Sequence, residues 1–235
     1  MSKVDFNNEI IDEIKNFISA NNNKKLKETL KDIHYADIAE LIDNLNIDEA
    51  TYLIKLLKSD TTADALAEID DEKREKILKN LSAKEIAEEL TELDTDDAVD
   101  IISELPEERK ERVISQIEDD KHIEDIRELL TYDENTAGGL MAKELVKVNE
   151  NLSVLKCLNE MRSQAENVTR VHSIYVVDGK NKLKGRLSLK DLITANSKAK
   201  VKDIFIPNVD YVYVNDENEE VARKMSKYDL EAIPV

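Results

Sequence analysis

A spacing of 24 residues runs through the first half of this chain. Ala39, Ala63 and Ala87 keep it, as do Ile42, Leu66 and Leu90, then Leu45, Ile69 and Leu93. Leu53, Ile77 and Ile101 follow, then Ile54, Leu78 and Ile102, then Leu57, Leu81 and Leu105, and the register continues to Ile114, Ile117, Ile126 and Leu129. Within each unit the apolar residues stand three or four apart and are broken by polar turns such as NIDE, DDEK and DTDD, so each unit reads as two short helices. One such hairpin leaves its apolar stripe in water, and stacking on neighbours is what buries it. The spacing therefore predicts an α-superhelix. At ~25 cal/mol per Å² of apolar surface the stacked stripes supply most of the stability, because helices this short are marginal alone.

Charge divides the chain at the same place. Residues 1–135 carry 38 Asp and Glu against 18 Lys and Arg, a net of -20, whereas residues 136–235 carry 14 against 16, a net of +2. The acidic half repels phosphates and anionic lipid, so neither nucleic acid nor a charged membrane is expected as its partner; cations or a basic surface suit it better. Solubility alone also accounts for an acidic surface. Asp94, Asp96 and Asp97 lie in a turn, where acids cap helix N-termini. Asp96 and Asp100 nevertheless stand one turn apart on one helix face, and the preceding repeat offers Asp64. Carboxylates grouped in this way repel unless a cation sits between them.

Cys157 is the only cysteine, lies in an amphipathic pattern and reads as a small core residue in a reducing compartment. His34, His122 and His172 are scattered, with no second ligand at zinc spacing. There is no apolar signal core and no run of about 18 apolar residues, so the polypeptide is expected not to cross a membrane. No nucleophile with a matched base and no phosphate-cradling glycine loop is present, which argues against an enzyme.

Two of the four glycines, Gly138 and Gly139, stand together where the acidic helices give way to strand-like alternation. They read as a hinge or domain boundary that needs backbone freedom. Beyond Met141 the pattern is strand, helix, strand, strand, helix: ELVKV, a run from Val154 to Met161 with Ser153 as its cap, SIYVVD, a GKNK loop, LKGRLSL and KDLITA. A second copy begins at VKDIFIPNVDYVYV and continues through ENEEVARKMSKYDLEAIPV, and Val235 falls inside its second strand.

The order of elements, with VVD and LKGRLSLKDL, resembles a CBS domain, a module that works in pairs. Taken with the leading repeats, ELDTDDAVDIISELPEE, YDENTAGGLM and VARKMSKYDLEAIPV, the chain resembles the cytosolic part of the MgtE family of magnesium channels. The resemblance implies a multidomain α+β fold: an all-α, right-handed-type superhelix over 1–131, a linker and first CBS domain over 132–198, and the start of a truncated second CBS domain over 199–235. It further implies that the intact relative is homodimeric through its CBS domains. It would continue into a transmembrane pore domain and place this region at the cytoplasmic face of the plasma membrane. This chain is then a soluble fragment or a truncated relative.

Magnesium is the cofactor the resemblance implies, bridging the two halves and compacting them so that the absent pore closes. Carried over by position, its ligands are Asp64, Asp96, Asp100, the backbone carbonyl of Gly139, Glu217, Glu219 and Asp229, with Glu217 standing where the family often has Asp. ATP is the second expected ligand, because SLKDL matches the CBS segment in which a hydroxyl and a base contact phosphates and an acid contacts ribose. Those residues are Ser188, Lys190 and Asp191, which otherwise read as a strand end and helix cap; Ser173 stands where a stacking aromatic would help. Two alternatives remain open, a soluble adenosine-nucleotide sensor built on the CBS pair alone and a superhelical scaffold.

Overall fold

The computed structural model describes residues 6, 8–57, 60–166, 168 and 170–235. Two compact units emerge, one running to Leu93 and from Asp97 to Arg127, the other comprising Asp94–Asp96 and Glu128–Val235.

Every regular element described in the first unit is a helix. It opens with α1 (Asn8–Ser19) and α2 (Asn23–Leu30), then alternates α3 (Tyr35–Asp43), α4 (Ile47–Leu57), α5 (Asp60–Glu68), α6 (Asp71–Lys79), α7 (Ala83–Leu90), α8 (Thr95–Ser103) and α9 (Glu107–Ile114), with α10 (Asp120–Leu129) closing the series. Helices one repeat apart pack together, α3 on α5, α5 on α7 and α7 on α9 in one row, and α4 on α6 in the other. The 24-residue positions are the core: Ile42, Leu66, Leu90, Leu53, Ile77 and Ile102 are all shielded from water, as are Ile114, Ile117, Ile126 and Leu129. Leu57 is only half-buried. Ile11, Ile14 and Ile18 of α1 and Leu26 and Leu30 of α2 are also buried, and α1 packs on both α2 and α4.

The turns cap the helices as their composition requires. The Asp70 carboxylate accepts from the Glu72 and Lys73 amides at 3.0 and 3.3 Å, and Asn46 and Glu49 exchange side-chain and backbone bonds at 2.9 Å. Ser82 and Glu85 form the same reciprocal box at the start of α7, each satisfying an amide that the helix leaves without a partner. Helix C-termini are closed differently, by basic side chains from other helices. Lys73 Nζ donates to the Asp43 and Leu45 carbonyls at 2.8 and 2.6 Å, and Arg109 donates to those of Leu78 and Leu81 at 3.1 and 2.8 Å. Arg74 donates to the carbonyls of Ala67 and Ile69 at 2.8 and 3.0 Å. These three cations thus sit on the negative ends of helix dipoles.

Glu85 links this capping to pH. Hydrogen bonds from Ser82, with help from Lys55 at 3.2 Å, hold its carboxyl down to about 2 from an ordinary 4.5. A depressed carboxyl contributes stability that is whole above the ordinary value and is lost as pH falls toward the folded one. Glu85→Ala should lower stability at neutral pH by about 1 kcal/mol, the scale of a water-facing capping box. The gap between variant and wild type should close between pH 4.5 and 2, as read from urea midpoints along a pH series.

In the second unit, α11 (Ala137–Leu140) precedes β1 (Val146–Asn149), α12 (Val154–Ala165), β2 (Ile174–Val177), β3 (Leu183–Leu187), α13 (Leu189–Thr194), β4 (Ile206–Pro207) and α14 (Asn218–Tyr228). The sheet order is β1-β2-β3-β4, with β1 parallel to β2 and the other neighbours antiparallel. A parallel pair needs a crossover, which α12 supplies. The inward row Val146, Val148, Ile174, Val176 and Leu187 packs with Val154, Cys157 and Leu192 into one core. Cys157 is fully buried, as its pattern predicts, and that burial pushes its thiol up to about 11. β1 is an edge strand. The Gln164 side chain accepts from the Lys147 amide at 3.0 Å and donates to its carbonyl at 2.8 Å, which blunts the exposed edge.

Two expectations are corrected. The glycine pair does not supply left-handed backbone freedom, since neither glycine adopts a positive φ. What these positions need is the absence of a Cβ: at Gly138 it would lie 2.7 Å from the Tyr132 ring and 3.0 Å from the Val214 carbonyl, and at Gly139 2.2 Å from the Asp133 carbonyl. The second copy also lacks its expected strands. Tyr211–Val214 and Ile233–Val235 are joined through one backbone bond, Val212 N–H to Pro234 C=O at 3.0 Å. Proline has no amide with which to extend the ladder.

Candidate functional site

Three of the candidate donors belong to the second unit. Asp96 is the second residue of α8, Gly139 lies in α11, and Glu217 occupies the N-cap position of α14 without a side-chain capping bond. Backbone hydrogen bonds explain how the last two meet. Ala137 N–H donates to Asp216 C=O at 2.9 Å, Gly138 N–H to Val214 C=O at 2.9 Å and Asn218 N–H to Asn135 C=O at 3.0 Å, with Thr136 bridged to Glu217. The segment after α10 is therefore fastened to the lead-in of the second CBS copy. Thr136 caps α11, its hydroxyl 3.4 Å from the Gly139 amide.

The remaining donors lie elsewhere. Glu219 is exposed in the first turn of α14. Asp229 ends the same helix in the left-handed conformation, φ 52°, as its C-cap. The eleven residues of α14 separate it from Glu217, roughly 18 Å at 1.5 Å per step. These two acids cannot ligate the same ion. Asp64, half-buried on α5, and Asp100, exposed on α8, belong to the first unit. Among the described residues no three His, Cys, Asp or Glu side chains are gathered closely enough to enclose an ion.

The chemistry of the donor set suits magnesium all the same. Every candidate offers oxygen, whereas the histidines are engaged elsewhere: His34 caps α3 through the Ala36 amide at 3.2 Å, His122 meets the Leu90 carbonyl at 3.1 Å, and His172 faces Glu231 at 3.7 Å. A hard octahedral ion that retains several waters and takes one or two carboxylates directly needs no enclosing cage.

Glu144, Lys143 and Glu128 carry no signal in the sequence, yet they form a connected set of contacts around Thr95, the residue before Asp96. Thr95, 1% exposed, donates its hydroxyl to the Glu144 carboxylate at 2.8 Å and its amide to the same oxygen at 3.2 Å. The hydroxyl in turn accepts from the Lys143 amide at 2.9 Å. Lys143 Nζ pairs with Glu128 at 2.6 Å, and this contact holds the Glu128 carboxyl below its usual range.

The nucleotide candidates lie together at one end of the β2–β3 pair. The Ser188 hydroxyl donates to Asp191 at 2.6 Å and accepts from the Asp191 amide at 3.0 Å, capping α13, while Lys190 is exposed. Ser173 precedes Ile174, which pairs with Leu187, so Ser173 and Ser188 flank the same end. Strand alternation puts Tyr175 on the face of Ser173. Burial raises the Tyr175 phenol, against the opposing pull of Arg186 across the ladder.

Comparison with known proteins covers both units. The MgtE intracellular N domain family matches residues 33–135 and the CBS domain family residues 137–198. The magnesium transporter MgtE of Thermus thermophilus is 45% identical over 104 residues, 44% of this chain and 23% of that protein. Its counterpart in Enterococcus faecalis is 36% identical over 106 residues, 45% of this chain and 23% of that one. The matched stretch thus spans about a quarter of either relative. Among solved structures, the soluble part of a magnesium transporter is 27% identical, with a TM-score of 0.85, 96% of this chain and 88% of that chain being covered. The cytosolic domain of the Mg2+ channel MgtE in complex with ATP is 33% identical, with a TM-score of 0.88 over 96% of this chain and 92% of that one. Matched across the repeats and the CBS fold together, the chain belongs to the MgtE family, over the family's N domain and the CBS region that follows it.

Proposed function

We propose that this chain is the cytosolic magnesium-sensing region of an MgtE-type transporter, with a regulatory rather than an enzymatic role. The observation that carries the proposal is the likeness, at 33% identity across both units, to the cytosolic domain of a Mg2+ channel. Without ions, the net -20 of residues 1–135 and the acids Asp216, Glu217, Glu219 and Glu220 repel one another. A dication reverses that sign locally. Asp64, Asp96 and Asp100 then share ions with Glu217, Glu219, Asp229 and the Gly139 carbonyl, at more than one position given the length of α14. Ions that bind the compact arrangement better raise its population, which makes magnesium concentration the control variable. In the parent protein the compact state closes the transmembrane pore at the cytoplasmic face of the membrane, giving negative feedback on entry. No described helix of this chain is long and apolar enough to cross a membrane.

Leu155 on α12 and Leu189 and Ile193 on α13 are exposed to 56%, 44% and 66%, and pairing between two copies through these helices would cover them. ATP is the second ligand proposed, supported by the ATP complex of the 33% identical structure. Lys190 would meet phosphate, and Ser188 and Asp191 would turn from capping α13 to the nucleotide.

One experiment tests both ligands. Limited proteolysis and small-angle scattering with millimolar magnesium should show protection and a smaller radius. Asp96→Asn, Asp100→Asn and Glu217→Gln together should remove most of that response. ATP without metal should raise the melting temperature, an effect lost in Asp191→Ala. A wild-type radius and cleavage pattern indifferent to magnesium would sink the sensing role, and melting raised by ATP alone would leave the nucleotide sensor in its place.

A further inference from the structure

We propose that Glu144, acting through Thr95, is a positioning residue that sets the magnesium concentration to which the chain responds. The inference rests on the magnesium reading above and adds residues that lie outside its ligand set.

Thr95 stands between Asp94 and Asp96, at the first position of α8. Its side chain is almost wholly removed from water, and its hydroxyl is used twice, as donor to Glu144 and as acceptor from the Lys143 amide. A buried hydroxyl with both roles satisfied has one orientation, so the backbone that carries it is fixed as well. Glu144 also accepts the Thr95 amide, an N–H that α8 cannot satisfy within itself. One carboxylate oxygen therefore sets the direction in which the helix begins, and with it the direction of the Asp96 side chain one residue on.

The other end of this strap is equally held. Glu144 follows Gly139 by five residues, and the Gly139 segment is bonded to the Glu217 lead-in through the Ala137, Gly138 and Asn218 amides. Lys143 is tied to Glu128 in the last turn of α10. The strap 140–144 thus joins two proposed donors, Asp96 and Gly139, through contacts inside one compact unit. Donors held at a constant separation bind without the ordering cost that loose ones incur, and removing such an outer partner typically weakens metal binding ~10- to 100-fold.

The test is a magnesium titration of the whole chain, read by protease protection, with thermal melting as a fold check. Glu144→Ala should raise the half-protection concentration ~10-fold, and Thr95→Val, which keeps shape but loses the hydroxyl, should do the same. Glu144→Gln and Thr95→Ser, which keep an acceptor oxygen and a hydroxyl, should stay within about 2-fold of wild type, and should decide the matter if Glu144→Ala does not fold. A responsive wild type with Glu144→Ala and Thr95→Val at its midpoint overturns the positioning role while leaving the sensor intact. Equal shifts in Glu144→Gln and Glu144→Ala overturn it too, since Glu144 would then act by charge. An unresponsive wild type overturns both readings together.

Discussion

Arg74→Leu is expected to destabilise the helical unit by about 3–5 kcal/mol, the cost of leaving a partly buried charge without its partner. The Arg74 side chain is 8% exposed and Glu104 24%. Its Nε donates to both Glu104 oxygens at 3.0 Å, and Nη2 reaches Asp71 at 2.7 Å and Glu104 as well. Nη1 closes the Ala67 and Ile69 carbonyls at the end of α5. One guanidinium therefore ties α5, α6 and the residue after α8. Leucine fills part of the volume but leaves Glu104 and two carbonyls short of a donor. Arg74→Lys keeps the charge without the planar fork and should fall between the two. The double variant Arg74→Leu/Glu104→Leu should recover a large part of the loss, because removing both charges removes the desolvation cost with them. Urea unfolding measures all three. A single-variant loss below about 1 kcal/mol would mean that the pair behaves as a screened surface contact.

Gly139→Ala should cost about 3 kcal/mol or more, at the upper end of overpacking, because the obstructing atoms are backbone. Its Cβ would meet the Asp133 carbonyl oxygen at 2.2 Å, the Asp133 carbonyl carbon at 2.8 Å and Glu134 Cα at 2.8 Å. None of these can rotate away as a side chain could. The Asp133 carbonyl is already the acceptor of the Thr136 hydroxyl at 2.7 Å and amide at 3.0 Å, so moving it breaks the turn that starts α11. The Ala137 and Gly138 amides, which bond to Asp216 and Val214, should lose hydrogen-exchange protection before the β-sheet does. Gly179→Ala is the control: nothing lies within 4 Å of its Cβ position, and the change should be neutral or slightly stabilising. Retained protection at Ala137 and Gly138 in Gly139→Ala would contradict the close-packing account of the glycine pair.

Much of the architecture was legible in the residues. The repeat positions Leu53, Ile77 and Ile101 are buried where the 24-residue register puts them, and Ser153 caps α12 as its place before Val154 implies. The alternation in ELVKV and SIYVVD became β1 and β2. The candidate site was less legible. Glu217 and Gly139 entered by resemblance, and nothing in their neighbours told that the Thr136 region would be bonded to residues some 80 positions later. Glu144 is one glutamate among many in an acid-rich chain, and its role depends on Thr95, 49 residues earlier.

Periodicity, capping and strand alternation are local, because a helix or strand repeats its geometry every few residues and so writes its buried face into the order of side chains. The sequence by itself therefore determined the stacked helical hairpins, the strand–helix–strand order of β1, α12 and β2 and the acidic character of the first half. Only the tertiary structure decided which carbonyls Arg74 closes, why no Cβ fits at Gly138 and Gly139, and how Glu144 comes to hold Thr95. The Glu144–Thr95 pair spans 49 residues, and the contacts nearer along the chain run largely through backbone groups that every residue type carries alike, so such pairings leave no pattern in the side chains.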